Sequence, residues 1–277
     1  MSFIKRQIVK VLLRFLSIID LALPEIRKMH YRGYVLYFSR GTSLVNRIRL
    51  FPASNRNSIY EPETAEAIQA ILQGIEKPVI ADVGSNIGLM SLNILATKPE
   101  ATIYAFEPGP HQRMLFEKTI QVNPGMDRKV FLSDYALSNN TGTSVFATHH
   151  SKDVSGDGLV DTGRAGETKT ITVRTIKFDE WWMQNGKPKF DFIKIDTEGA
   201  ELWILQGAEA MIAQLRPVLL LEIFNLNLVN YPYKSIDIMN WLKEHRYNLY
   251  SLSGVPVTDV QYFEKNSHEA EFIARPN

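Results

Sequence analysis

The chain has 277 residues, with 31 lysines and arginines, 30 aspartates and glutamates, and no cysteine. Hydrophobic residues make up 45% and charged residues 22%, which are ordinary globular values and exclude a disordered or collagen-like chain. The absence of cysteine excludes a disulfide framework, a thiolate zinc site, an iron–sulfur cluster and a cysteine nucleophile. The numbers predict one large domain, or one domain with an appendage, and they agree with a cytoplasmic compartment.

Charge is unevenly distributed along the chain. Residues 1–50 hold ten basic and two acidic side chains, a net charge of +8, and the remaining residues therefore carry a net charge of −7. Such an asymmetry indicates that the front of the chain meets an anionic surface or an anionic partner.

Residues 3–23 have the pattern of an amphipathic helix that ends at Pro24. Arg6, Lys10 and Arg14 share one face of this helix, and apolar side chains cover the other. Because charges interrupt the apolar run, neither a membrane span nor a secretory signal is expected. The segment predicts either peripheral contact with an anionic membrane, at its inner face, or packing against the main domain or a second subunit.

A hairpin is predicted to follow the first helix. Residues 33–51 alternate in hydrophobicity and turn at Arg40-Gly41, so we expect two antiparallel strands there. A polar loop then leads to a helical pattern over residues 65–75. These elements predict an appendage over residues 1–59, followed by the main domain over residues 60–277.

The main domain has the pattern of an α/β fold. Apolar, strand-like runs occupy residues 78–83, 102–107, 130–137, 143–148, 170–176, 190–196 and 217–223. Helical segments are expected at residues 87–97, 111–121, 200–214 and 235–245. This alternation predicts a mostly parallel sheet with helices on both faces. A long polar loop, residues 149–168, is the kind that often carries function, and His149 at its start is a candidate general base.

A glycine turn follows the first strand of this domain. Residues 79–88 read as an apolar strand, a turn and a helix start, in which Gly84 can adopt a positive φ and Gly88 allows close helix packing. Glu107 ends the next strand, where an acid can accept hydrogen bonds from both ribose hydroxyls of a nucleoside cofactor. The turn lacks the middle glycine of dinucleotide sites, and Asp82 is placed to receive a cationic amino group. The pattern therefore favours S-adenosylmethionine over a nicotinamide dinucleotide.

Several short motifs, taken in order, resemble the FkbM-type S-adenosylmethionine-dependent methyltransferases. They lie at residues 60–61, 82–88, 105–108, 136–138, 178–179, 193–201 and 221–222. The resemblance covers about residues 60 to 224. It implies a class I methyltransferase fold, which is Rossmann-like and doubly wound, with a seven-stranded, mostly parallel sheet whose last strand is antiparallel.

The resemblance also implies which residues bind the cofactor. The glycine turn would hold the methionine end, Glu107 would bind the ribose, and Asp134 with the backbone at Ala136 would border the adenine. The full set of expected cofactor-binding residues is Glu61, Asp82, Gly84, Ser85, Asn86, Gly88, Glu107, Asp134 and Ala136.

A second acidic cluster follows two later strands. Asp196 ends the strand at residues 190–196, and Glu222 lies at the end of the strand at residues 217–223. Ligands of doubly wound sheets bind beyond the carboxyl ends of strands, so both acids should face the site. They could take a proton from an acceptor hydroxyl, with Glu198 as a further catalytic candidate. A divalent metal on Asp196 and Glu222 is possible but not expected, because no histidine lies at a ligand spacing.

These features predict an O-methyltransferase that transfers a methyl group in line, with assistance from a carboxylate or a histidine. The resemblance implies sugar or natural-product hydroxyls as acceptors, and the basic front segment favours a glycolipid or cell-envelope glycan. Two alternatives stay open, namely a non-catalytic S-adenosylmethionine-binding module and a nicotinamide-dependent oxidoreductase. A nucleic-acid partner is not expected, and a homo-oligomer is compatible with the sequence.

Overall fold

The computed structural model of the chain describes residues 24–40, 42–49, 51, 54–149, 156–163, 168–266 and 270–277. The predicted helix over residues 3–23 lies outside the described residues, as does much of the predicted loop at residues 149–168. None of the helices in the described part of the chain combines the length and apolar character that a membrane crossing requires.

The described elements alternate between strands and helices. The strands are β1 (Ile26–Tyr31), β2 (Tyr34–Ser39), β3 (Val79–Val83), β4 (Thr102–Phe106), β5 (Val130–Ser133), β6 (Ala136–Ser138), β7 (Gly142–His149), β8 (Thr168–Lys177), β9 (Phe192–Ile195), β10 (Val218–Glu222), β11 (Tyr247–Ser251) and β12 (Glu271–Pro276). The α-helices are α1 (Ser43–Arg49), α2 (Pro62–Ile71), α3 (Leu89–Thr97), α4 (Pro110–Val122), α5 (Phe178–Gln184), α6 (Glu201–Gln206), α7 (Glu209–Leu215), α8 (Ser235–Glu244) and α9 (Gln261–Lys265). Short 3₁₀ helices lie at Arg56–Ser58 and Met126–Arg128.

Seven strands form the central sheet in the order β11-β12-β10-β9-β3-β4-β5. Strands β10, β9, β3, β4 and β5 are mutually parallel, whereas β12 runs antiparallel to both of its neighbours. The predicted seven-stranded, doubly wound sheet is therefore confirmed. The chain order reverses between β3 and β9, and in such sheets the crevice beyond the strand ends at this point receives ligands.

The central strands are apolar on both faces because helices cover both sides of the sheet. In β3, Ile80 packs into the cluster that contains Leu92 and Phe116, from α3 and α4. The next residue, Ala81, belongs to the opposite cluster, which includes Trp181 of α5. This alternation buries each large side chain and stabilises the fold by about 1.5–3 kcal/mol for each one.

The hairpin prediction was right in kind but wrong in position. The two strands are β1 and β2, and they turn at Arg32-Gly33 rather than at Arg40-Gly41. Both turn residues have positive φ, 50° and 90°, as a two-residue hairpin turn that follows strand twist requires. Residues Ser43–Arg49, predicted as the second strand, form α1, because Val45 and Ile48 are spaced to bury on one helical face.

Two further predicted elements are each divided into two in the structure. The strand expected over residues 130–137 divides into β5 and β6, and β6 joins a separate sheet with the order β6-β8-β7. The helix expected over residues 200–214 divides into α6 and α7. Asp179 explains the second break, because its carboxylate accepts from the backbone N–H groups of Ala210 and Met211 and so caps α7.

The hairpin packs against the main sheet's helices. Val35 exchanges two hydrogen bonds with the Asn123 side chain, at 2.9 and 2.8 Å, and the Tyr31 hydroxyl donates to Asn93 at 2.6 Å. Leu36 and Phe38 are buried in the same hydrophobic cluster as α3 and α4. The described residues before position 59 thus share the core of the main domain, and the predicted boundary there stays a prediction.

Candidate active site

A cavity of about 350 Å³ lies beyond the carboxyl ends of β3, β4, β9 and β10. Its volume lies within the range of small-molecule sites, and its position is the switch point of the sheet. The structure brings nine predicted site residues to its wall: Glu61, Gly84, Ser85, Asn86, Glu107, Ala136, Asp196, Glu198 and Glu222.

The glycine turn is fixed by a close approach between two strands. Gly84 has a φ of +80°, and a Cβ at this position would lie 1.8 Å from the carbonyl oxygen of Asp196. Only glycine therefore fits between β3 and the segment that follows β9. Gly88 does not line the cavity; a Cβ there would lie 2.3 Å from the Phe116 ring, so this glycine serves the packing of α3 on α4.

Glu107 is joined to the glycine turn by its hydrogen bonds. Its buried carboxylate accepts from the backbone N–H of Asn86 at 2.8 Å and from that of Gly109 at 2.7 Å. Burial raises the pKa of Glu107 to about 7, while the two backbone donors act in the opposite direction. Each carboxylate oxygen keeps a further lone pair, so the predicted contact with ribose hydroxyls is compatible with this geometry.

Asp82 lies beneath the cavity rather than in its wall. The Ser91 hydroxyl donates to its Oδ2 at 2.5 Å, and its buried Oδ1 has no partner among the described residues. Burial raises the pKa of this carboxyl, and the positive charge of Lys194 opposes that shift. The predicted contact of Asp82 with a cationic amino group stays a prediction.

The structure does not place Asp134 at the cavity. Its side chain is exposed and forms an ion pair with Arg174 on the surface. The wall on that side is built instead by Tyr135, Ala136 and Leu137, which follow β5, together with Phe146 of β7. The side of the cavity where Asp134 was expected is thus largely apolar, which suits the flat face of an adenine ring. The backbone of His149 ends β7, and its side chain lies outside the described part.

Three acidic residues lie next to one another at the same end of the neighbouring strands β9, β10 and β12. Asp196 follows β9, Glu222 ends β10, and Glu271 begins β12, where it pairs in register with Glu222. All three line the cavity. Sequence reasoning missed Glu271, because only the antiparallel direction of β12 brings the start of this strand to the carboxyl end of β10.

A buried lysine lies among these acids. Lys194, within β9, donates to Oδ2 of Asp196 at 2.6 Å, and the two side chains are 3% and 23% exposed. Burial alone would lower the pKa of the lysine, but the charges of Asp196, Asp82 and Glu61 outweigh it and raise the pKa above its ordinary value. Sequence reasoning gave this residue no role, although a lysine inside an apolar strand was a visible signal.

The carboxyl groups around this pair hold their protons more tightly than usual. Burial raises the pKa of Glu61 to about 8, with further contributions from the charges of Asp196 and Glu271. Burial and the neighbouring charge of Asp196 also raise the pKa of Glu222. Since burial raises the pKa of Glu271 as well, some of these groups are protonated near neutral pH and can donate hydrogen bonds.

Glu198 is carried on a turn that Glu201 organises. The buried carboxylate of Glu201 accepts from the N–H and the hydroxyl of Thr197, at 3.0 and 2.9 Å, and from the N–H of Gly199 at 3.3 Å. Glu198 itself adopts a φ of 56° and accepts from the backbone N–H of Gly156 at 2.9 Å. Glu201 thus shapes the loop, and Glu198 connects the loop to the opposite wall.

The residues present fit S-adenosylmethionine, a cofactor with a cationic end and an aromatic end. The acidic side chains of the wall suit an ammonium or sulfonium charge. The apolar side at Tyr135 and Phe146 suits the adenine. For a metal ion, no group of three or more histidines, aspartates or glutamates in the described ranges has a suitable arrangement.

Two characterised proteins resemble this chain over part of its length. Hexuronic acid methyltransferase AglP of Haloferax volcanii is 31% identical over 143 residues, which cover 51% of this chain and 55% of AglP. The 2-O-methyltransferase NoeI of Sinorhizobium fredii is 25% identical over 186 residues, which cover 63% of this chain and 74% of NoeI. The match to AglP therefore spans about half of that relative's length.

The family profile agrees with these two relatives. A crystal structure of methyltransferase FkbM from Methylobacillus flagellatus KT superposes with a TM-score of 0.49 at 15% identity, covering 72% of this chain and 44% of that one. The profile of the Methyltransferase FkbM domain matches residues 82–249, which is more than half of the chain. The chain belongs to the FkbM-type methyltransferase family.

Proposed function

We propose that this chain is an S-adenosylmethionine-dependent O-methyltransferase that acts on a hydroxyl group of a sugar. The observation that carries the proposal is the shared cavity, because Asp196 and Glu222 line the same space as the glycine turn and Glu107. The names of the two relatives, one for a hexuronic acid and one for 2-O-methylation, favour a sugar hydroxyl as the acceptor. S-adenosylmethionine supplies a methyl group that is already activated by a positively charged sulfur.

The cofactor side of the cavity binds and orients S-adenosylmethionine. The backbone N–H groups of the turn at residues 84–88 are paired within the protein, which fixes the turn, and Glu107 keeps acceptor capacity where the ribose is expected. The aromatic ring of Phe146 and the segment after β5 form the apolar end. Methyl transfer depends mainly on alignment of the sulfur, the methyl group and the acceptor oxygen. A binding site that fixes the cofactor therefore increases the rate.

The acid side handles the proton of the acceptor hydroxyl. Lys194 holds Asp196 in place through a short ion pair, so Asp196 is suited to orient the hydroxyl. Burial and nearby negative charges raise the pKa of Glu222, so its carboxylate form is a stronger base than an exposed glutamate. We assign proton removal to Glu222 and orientation to Asp196.

The described middle of the long loop, residues 156–163, lines the cavity and helps to exclude water. The N–H of Gly156 donates to Glu198, and the amide of Gln112 donates to Asp157 at 2.6 Å. Gly158 also pairs with Ala147 of β7 through two backbone hydrogen bonds. This segment therefore joins three walls of the cavity, which supports a functional role for the loop.

The test is transfer of labelled methyl groups from S-adenosylmethionine to fractionated lipid and polysaccharide extracts. We expect the wild type to label a sugar-containing fraction and Asp196→Asn to lower the rate by about 100-fold or more. Asp127→Asn, at an exposed position of the 3₁₀ helix Met126–Arg128, is the matched control and should leave the rate unchanged.

Three results would contradict the proposal. Saturable cofactor binding with no transfer to any fraction would favour a non-catalytic binding module. Tight binding of NADH without binding of S-adenosylmethionine would favour an oxidoreductase. Transfer that is equally fast in the Asp196→Asn variant would remove the assigned role of this carboxylate.

The location of the enzyme at the inner membrane face is a second part of the proposal. It is supported by the net charge of +8 over residues 1–50 and by the amphipathic pattern of residues 3–23. Cosedimentation with anionic liposomes, compared with a variant that lacks residues 3–23, measures this contact. Equal sedimentation of both proteins would contradict it, and size-exclusion chromatography of the same samples reports whether the chain self-associates.

A further inference from the structure

Two carboxyl groups of the cavity come from outside the part of the chain that matches the family profile. Glu61 precedes α2 and Glu271 begins β12, whereas the profile covers residues 82–249. Both side chains line the cavity. The hydroxyl of Thr64, in the first turn of α2, donates to Oε2 of Glu271 at 2.6 Å and so connects the two segments.

One carboxyl oxygen of Glu61, a residue of the cavity wall, is unsatisfied. Its Oε2 atom is buried and has no hydrogen-bond partner among the described residues. A buried acceptor without a partner carries a cost in stability. The backbone of Glu61 adds to this cost, because its φ of 41° lies in the left-handed region that non-glycine residues seldom adopt. Such a combination is typical of a position that a ligand completes.

The order of the strands places this pair at the acceptor end. The glycine turn and Glu107 follow β3 and β4, on one side of the switch point. Glu222 and Glu271 belong to β10 and β12, on the other side. Thr64, three residues after Glu61, donates to Glu271 at 2.6 Å, so the start of α2 and Glu61 lie beside the acceptor half.

The charge of the wall restricts which ligand can complete it. Seven of the described lining residues are acidic, namely Glu61, Glu107, Asp157, Asp196, Glu198, Glu222 and Glu271. Lys194 lines the same wall, but its ammonium group is already paired with Asp196 at 2.6 Å. The described part of the wall offers no unpaired cation to an acceptor's own carboxylate or phosphate, whereas its acids can accept hydrogen bonds from hydroxyl or amino groups.

We propose that Glu61, held in place by Glu271, accepts a hydrogen bond from the acceptor, and that the sugar unit entering the cavity is neutral or carries an amino group rather than an acid. This inference rests on the proposed function and names the substrate class of the same site. Glu61 is thus a specificity-determining residue, and Glu271 is a positioning residue.

The chemical class of the acceptor can be read from the product. Extract labelled by the wild type with tritiated S-adenosylmethionine is hydrolysed to monosaccharides, and the labelled methyl sugar is separated by ion exchange. We expect the label in a neutral or amino sugar. Label in a hexuronic acid or a sugar phosphate overturns the inference but leaves the methyltransferase proposal standing. Absence of label in any sugar is the failure of the proposed function itself.

Variants of Glu61 test which end of the cavity it serves. Glu61→Met removes both acceptor oxygens at similar length, and we expect it to raise KM for the wild type's labelled fraction by about tenfold. Glu61→Gln keeps one oxygen and should recover part of this loss. The Kd of S-adenosylhomocysteine, measured by titration calorimetry, should change less than about threefold in both variants.

The matched control is Glu63→Gln, whose exposed carboxylate pairs with Arg56 in the same segment of the chain. It should change neither the KM nor the Kd. A tenfold weaker Kd for S-adenosylhomocysteine in Glu61→Met, a variant whose circular dichroism matches the wild type, would assign Glu61 to the cofactor and overturn the inference. An unchanged KM in the same variant would overturn it as well.

Discussion

The two halves of the cavity are built in opposite ways. The half at β3 and β4 comes from one continuous stretch, residues 82–109, and works through backbone N–H groups and a tight glycine turn. The half at β9, β10 and β12 gathers side chains from positions as far apart as Glu61 and Glu271. The first half depends on local backbone geometry, and the second depends on the tertiary arrangement of buried charges.

This difference determines what a substitution should change. In the backbone half, a side chain that obstructs the turn acts on both folding and cofactor affinity. In the acidic half, the groups are buried with few neutralising partners, so the net free energy of folding depends on which protons are bound. Five substitutions test this contrast, from the largest expected effect to the smallest.

Gly84→Ala should have the largest effect. The new Cβ would lie 1.8 Å from the carbonyl oxygen of Asp196, at a φ of +80° that alanine adopts only at a cost. We expect the free energy of unfolding to fall by about 4 kcal/mol and binding of S-adenosylhomocysteine to be lost. Urea denaturation and calorimetry measure both. Gly74→Ala, with a φ of +83° and no atom within 4 Å, is the control and should lose only about 1 kcal/mol.

Lys194→Met should be next, through charge rather than shape. It leaves Asp196 and its acidic neighbours without the buried ammonium group, so we expect a loss of about 3 kcal/mol in the free energy of unfolding at pH 7. Asp196→Asn in the same background should restore part of the loss, because it removes the charge left unpaired. Equal stability of Lys194→Met and the wild type in urea would show that the acids of this wall do not need the lysine.

Glu61→Gln should change how stability depends on pH. The pKa of Glu61 rises from an ordinary value of 4.5 to about 8 in the folded protein, so the folded state holds a proton that the unfolded state releases. This contribution is fully present below pH 4.5 and is lost as the pH rises to about 8. The variant should match the wild type near pH 4.5 and become more stable than it as the pH rises to 8.5.

Other groups act on the Glu61 carboxyl, so a second measurement is needed. Asp196, Glu271 and Lys194 act on it through their charges, and Tyr60 acts on it through a side-chain hydrogen bond. Infrared spectra of the protonated carboxyl band are recorded from pH 5 to pH 9 for both proteins. The difference between the two sets reports the protonation of Glu61. A difference in stability that is constant over this range would contradict the assigned pKa.

Glu107→Gln should act on cofactor affinity more than on stability. The amide has one acceptor oxygen, so it can no longer accept from both Asn86 and Gly109, and its NH₂ group faces a backbone donor. We expect the Kd of S-adenosylhomocysteine to rise by about tenfold, as for the loss of one charged hydrogen bond. An unchanged Kd would mean that residues other than Glu107 bind the ribose.

Asp134→Ala should have the smallest effect. Its carboxylate pairs with exposed Arg174 and does not line the cavity, so the Kd of S-adenosylhomocysteine should stay within about threefold of the wild type. A larger rise in Kd would restore the role at the adenine that the family resemblance implies. Glu107→Gln is the matched comparison for the change in Kd, because Glu107 and Asp134 follow the neighbouring strands β4 and β5.

Local patterns predicted the parts of the molecule that depend on local geometry. The strand, turn and acid over residues 79–107 were recognisable because positive φ, close approach and strand ends each leave a mark in the sequence. The hairpin turn was misplaced because Arg40-Gly41 and Arg32-Gly33 offer the same two residue types. Only the packing of Val45 and Ile48 as a helix decides between them.

The sequence by itself determined the α/β alternation, the glycine turn with its acid at Glu107, and the positions of Asp196 and Glu222 at strand ends. The tertiary structure alone decided that Asp134 turns to the surface and that Glu271 joins the site. The reason is physical: strand ends and turns follow from neighbours in the chain, whereas the direction of β12 and the burial of Lys194 follow from contacts between distant segments. Those contacts also set the affinity of each carboxyl group for its proton.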